Sequence, residues 1–186
     1  PFCELELELK SGEAAKQEII RRYYSTLEKL AAGDCSENEV NKISLLMKQA
    51  RISTDDRKVT IAARERQEKS GVASAAIELP EGTLISAETS SLLGPSAALI
   101  LNAIKKLCNY PDDILLISPD VLRTMQYLKM HILHREKSTL NLEEVLSALT
   151  ISATMNPMAS TAVDQLSRLS GCKAHCTAIL SDSDTH

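Results

Sequence analysis

Any chemistry in this chain has to come from a few hydroxyls, amides, imidazoles and thiols. Thr89, Ser90 and Ser91 run together just ahead of Gly94-Pro95. Proline suits the first helical position, where its missing N–H has no partner to lose. A helix starting there would present free backbone donors and a positive dipole end beside three hydroxyls. That arrangement could hold a phosphate or a carboxylate. The same residues also suit plain capping, worth about 1 kcal/mol each. Neither Gly-x-x-x-x-Gly-Lys-Ser nor Gly-x-Gly-x-x-Gly occurs. Ser118 and Asn156 each precede a proline. They read as a cap and a helix breaker, and as two further candidate ligand contacts.

His131 and His134 are three apart on one helix face, a metal-ligand spacing. No Cys or carboxylate set completes it, so no metal is expected, and a surface pair near a helix C-terminus fits as well. Cys172-Lys-Ala-His-Cys176 places two thiols and an imidazole in one segment. On a strand, Cys172 and Cys176 share a face while His175 points away, which defeats chelation by all three. The thiols read as buried and structural. His175 is the best candidate for a catalytic acid or base, against the alternative of a satisfied histidine at a strand end. No Ser-His-Asp set and no paired carboxylates stand out.

Bulk composition bounds what can surround these groups. The chain has 186 residues, a net charge of −4, 44% hydrophobic residues and only 3% aromatic ones. One domain, or one plus a small helical extension, is expected, with an aliphatic core. An acidic, aromatic-poor surface argues against nucleic acid. No stretch approaches the roughly 18 apolar residues of a membrane span. Five cysteines at scattered positions fit reduced thiols, and hence a cytoplasmic location. No cofactor is indicated. The chain begins at Pro1 rather than Met, as a fragment or a processed product would.

The elements that must position the candidates follow from periodicity and punctuation. Phe2–Lys10 alternates Leu with Glu and predicts an edge strand, or else a frayed lead-in; residues 1–12 form this acidic segment. Residues 13–70 read as a helical subdomain. One helix runs from Glu13 to Gly33, a second follows a Ser36–Glu39 capping box, and a third follows Ser53–Asp56. Residues 71–182 read as α/β, and 183–186 as a polar tail. Pro80-Glu81-Gly82 predicts a hairpin between Ala75–Leu79 and Thr83–Ala87, ahead of the Pro95 helix. Ile114–Ile117 predicts a buried strand, and Cys172–Leu180 another. Val121, Leu122, Met125, Leu128 and Ile132 predict the apolar stripe of a helix capped by Ser118. Helices over Leu142–Met155 and from Ala159 to Gly171 complete the set. The fold class is therefore α/β (α+β): an N-terminal helical subdomain, then a small sheet of mixed direction with packed helices. Glu88–Ser91, Ser118–Asp120 and Ser181–Asp184 are expected to meet beyond the strand ends.

Several motifs carry a resemblance. They are Glu13–Tyr24, Ile77–Thr83, Thr89–Gly94, Leu116–Pro119, Ser152-Ala153 with Asn156-Pro157, and Gly171-Cys172 with Ala174-His175. Together, over about residues 13 to 182, the chain resembles the mostly bacterial Domain of Unknown Function 1846, also called Uncharacterised Protein Family 0371. The resemblance implies kinship with the C-terminal region of a longer protein, whose N-terminal α/β part holds a glycine-rich, phosphate-loop-like segment. It implies no activity. The family pattern has Gly-Lys where this chain has Ala87-Glu88, and Arg and His where it has Thr139 and Asn141. A carboxylate at 88 would repel an anion at close range. The resemblance thus implies a diverged copy with altered or absent catalytic capacity.

The leading expectation is a non-catalytic domain for small-anion binding or for assembly, with a pocket at Thr89–Ser91. An enzyme acting on a small phosphorylated or carboxylated metabolite is the alternative. A helical module that makes a homo-oligomer through residues 13–70 is a third.

Overall fold

The computed structural model describes the backbone of residues 2–178 and the side chains of residues 12–178. The chain divides into two compact units, Pro1–Lys58 and Val59–His186.

In the first unit, helix α1 runs over Phe2–Ala32 and helix α2 over Glu37–Gln49. The predicted edge strand at Phe2–Lys10 is therefore helix. Leu, Glu and Lys are all strong helix formers, and the helix continues through Ser11-Gly12 into the Glu13 stretch, so propensity overrides the period-two pattern. Gly33 ends α1 at a φ of +83°, where a side chain would be strained. Ile20, Met47 and Ile52 form the buried core of this unit, with Ile19, Tyr23, Tyr24 and Ile43 against it. Ser36 precedes α2 but its side chain makes no capping hydrogen bond. The box at Ser53 does form, around a single 3-10 turn over Thr54–Asp56.

Helix α3, Lys58–Ser70, falls almost wholly in the second unit. The expected 13–70 helical stretch is thus split between the two. Strands β1 (Ser74–Glu78) and β2 (Leu84–Glu88) form the predicted hairpin, with Gly82 at a φ of +83°. Strand β3, Lys173–Cys176, pairs with the other edge of β1. The order is β2-β1-β3 and both pairings are antiparallel, so the sheet is not of mixed direction.

Alternation along β1 decides what covers each face. Ala75 and Ile77 pack with Leu99 and Ala103 of helix α4, Pro95–Leu107. Ala76 points the other way, onto Val59 and Ala63 of α3. The back of α4 meets a second core through Ala97 and Ile104. Helices α5 (Pro119–Tyr127), α6 (Leu142–Ala153) and α7 (Pro157–Asp164) supply Leu122, Val145, Ala148, Leu149, Ala159 and Ala162 to it.

Ile114–Ile117 is a loop, not a strand. Leu116 and Ile117 are buried in the same helical core, which explains their apolar character without a ladder. The expected strand Cys172–Leu180 shortens to β3; Leu180 and the Ser181–Asp184 segment lie outside the described residues.

Candidate functional site

The loop between β2 and α4 was the expected anion cradle. The chain itself engages the hydroxyls of Thr89 and Ser90, while Ser91 is exposed and its backbone carbonyl accepts from Gln126. The Thr89 hydroxyl donates to the Ala73 carbonyl at 2.9 Å. The Ser90 hydroxyl accepts from the N–H of Leu93 at 3.0 Å and of Leu92 at 3.3 Å, closing the loop on itself. Helix α4 does start at Pro95 with Gly94 as its cap. Leu140 crosses that end: the Gly94 N–H donates to the Leu140 carbonyl at 2.9 Å, and Leu93 and Leu140 form a parallel bridge. Gly94, Ser96, Ala97 and Leu140 are buried, so the first turn of α4 faces protein. Glu88, the expected repulsive charge, is held by Arg66 at 2.8 Å.

The other candidates are scattered. Ser118 caps α5 by accepting from the Asp120 N–H. Asn156 caps α7, accepting from the Met158 N–H at 3.0 Å, and its amide approaches the Leu116 carbonyl at 3.4 Å. Those two caps are therefore linked by the 116–118 segment. His175 is on β3 opposite Ala76, on the sheet face covered by α3. Thr89 follows β2 on the far side of β1. Asn141 caps α6 in a complete box with Glu144. Cys172 borders an open cleft of about 360 Å³ between the hairpin tip and Gly171–Lys173. Burial raises the Cys172 thiol above its ordinary pKa, and Glu81 and Glu78 add to the rise, which disfavours the thiolate a nucleophile needs. Among the described residues, no three of His, Cys, Asp or Glu gather as a metal-ligand group.

What the loop does meet is the end of α5. The Gln126 amide donates to the carbonyls of Ser91 at 2.8 Å and Ser138 at 3.1 Å. Beyond Tyr127 the helix widens into a π turn, Leu128–Ile132, in which the Leu133 N–H reaches back to the Leu128 carbonyl. His134 ends it at a φ of 50°, a left-handed conformation that histidine tolerates better than most residues. Burial along this segment is inverted. Lys129 is only 7% exposed, whereas Tyr127, Leu128, Ile132 and Leu133 are 60%, 47%, 59% and 56% exposed. The Lys129 ammonium donates to the Thr139 carbonyl at 2.8 Å and to Glu144 at 2.7 Å. His131 stacks beside the Tyr127 ring, 4.6 Å between centroids.

Of the expected stripe, Leu122 and Met125 face inward, and the others do not. The inward positions are Leu122, Met125 and Lys129, at helical spacing; Val121, Leu128 and Ile132 face out. The signal was a lysine in register with two apolar residues, easily taken for a surface charge. π turns of this kind are frequent at functional sites.

The comparisons with known proteins fit this organisation. Residues 55–186 match the model described as "Domain of unknown function DUF1846, C-terminal". The chain is 44% identical to a UPF0371 protein of Streptococcus pneumoniae (strain CGSP14) over 172 residues, 92% of this chain and 35% of that relative. It is 42% identical to a UPF0371 protein of Streptococcus uberis over the same shares. The chain thus spans about a third of the length of the curated relatives it matches. No helix among the described residues is long and apolar enough to cross a membrane. By both its domain match and its relatives, the chain belongs to the UPF0371 family, whose DUF1846 C-terminal domain it carries.

Proposed function

We propose that this chain is a non-catalytic assembly domain whose working surface is the π turn after α5, where it docks another stretch of polypeptide. The observation that carries this is the inversion of burial: a lysine is inside and four large apolar side chains are outside. Contiguous exposed apolar side chains of this kind mark interaction sites on soluble proteins. The turn is also preformed, because Lys129 and Gln126 tie it to the 138–139 loop. The anion half of the original expectation has less support, since Thr89, Ser90 and the first turn of α4 are engaged internally.

Leu128→Ser combined with Ile132→Ser tests the reading. Exposed side chains cost little when truncated, so the melting temperature should fall by no more than a few degrees. Association through the turn, read as amide protection of the segment aligned with 127–135 in a full-length relative that carries the matching changes, should disappear. A loss of several kcal/mol in urea unfolding would show these side chains to be core and end the proposal. Saturable binding of inorganic phosphate, lost in Ser91→Ala, would favour the anion pocket instead.

A further inference from the structure

From the exposed π turn and the length of the relatives we infer that its occupant is the amino-terminal portion of the same family polypeptide, seated on Tyr127, Leu128, Ile132 and Leu133. This rests on the assembly reading above and names its partner. Residues 55–186 match a domain described as C-terminal, and this chain covers 35% of the pneumococcal relative; most of that polypeptide lies outside the match, and a C-terminal domain leaves it room ahead.

Size and charge select between occupants. A stable interface between separate molecules buries roughly 800 Å² on each partner. Four side chains on one turn offer less. A segment joined to the domain by a linker has an effective concentration in the millimolar range and needs fewer contacts.

The rim of the patch weighs against a second copy. Arg135 and Lys137 follow the turn with one acid, Glu136, between them, and His131 and His134 lie within it; all five are exposed. A two-fold contact presents the same patch on both partners and would bring the Arg135 and Lys137 rim of one copy near that of the other. A preceding domain is free of that restriction.

Amide hydrogen exchange decides it, measured on this chain and on the full-length pneumococcal relative. Across 127–135 here, and across the aligned segment there, the full-length protein should exchange more than about tenfold slower, at every concentration. This chain alone should exchange fast. Equal, fast exchange in both proteins at all concentrations would overturn this inference and the assembly reading together. Protection that grows with concentration, in either protein, would assign the turn to a second copy. That outcome keeps the assembly reading and overturns the amino-terminal occupant.

Discussion

The loop before α4 and the turn after α5 are neighbours, joined by Gln126, and they are opposites. The loop is rich in hydroxyls and looks like a site, yet those of Thr89 and Ser90 serve the backbone. The turn reads as a core stripe, yet its apolar groups face outward around a buried lysine. Residue type indicates chemistry only after the backbone's own donors and acceptors have been satisfied. A serine or threonine near a chain reversal is claimed first by local carbonyls and N–H groups. An apolar side chain is claimed by the core only if the helical phase carries it there.

The largest effect expected from this contrast is at Lys129. Its charge is buried, and its named partners are the Thr139 carbonyl and the Glu144 carboxylate in the first turn of α6. Lys129→Ala leaves Glu144 and the Thr139 carbonyl without it, and truncating one partner of a buried pair costs about 3 kcal/mol. Lys129→Met, which fills the same space without charge, should cost less. Urea unfolding of both variants checks the order. An alanine variant within about 0.5 kcal/mol of the parent would break the comparison, because the turn would then not be built around that charge.

Next come the hydroxyl and amide caps. Thr89→Val removes the bond to the Ala73 carbonyl, and Asn141→Ala removes half of the box that starts α6. Each should lower stability by about 1 kcal/mol. A neutral Thr89→Val with a simultaneous change in phosphate affinity would show that the hydroxyl works for a ligand and not for the fold.

Much of this was legible beforehand. Pro80-Glu81-Gly82, Gly94-Pro95 and Ser118-Pro119 marked the hairpin and two helix starts, and Asn156-Pro157 marked the break before α7, because proline and glycine restrict the backbone locally. The rest depended on distant contacts. Ile114–Ile117 is apolar because α6 and α7 bury it, and no local pattern separates that from a buried strand. The engagement of the α4 start required Leu140, more than forty residues away in sequence. Leu128 and Ile132 face outward because the helix widens into a π turn after Leu122 and Met125, and Lys129 takes the inward position.

Leu133→Ser should change least within this unit, within about 0.5 kcal/mol by urea unfolding, because the side chain is more than half exposed. A larger loss would mean that the outer face of the turn contributes to the core after all. It would also remove the reason to look for a partner there.

A finer distinction concerns groups that are polar, engaged and exposed at once. Glu18 on α1 accepts from Arg21 at 2.7 and 2.8 Å and from Arg22 at 2.8 Å. Those hydrogen bonds, led by Arg21, lower its carboxyl pKa from the ordinary 4.5 to about 2. A carboxyl depressed in the folded state binds its proton more readily when unfolded. Its contribution to stability is therefore present above pH 4.5 and fades as the pH falls toward 2. Glu18→Gln should lower neutral-pH stability slightly and remove that same small amount from the acid dependence, because solvent and salt screen so exposed a cluster. Thermal melts at pH 7 and pH 3, in low and high salt, separate the cases. If Glu18→Gln falls as far as Lys129→Ala at neutral pH, exposure is not what divides strong from weak polar contacts in this protein.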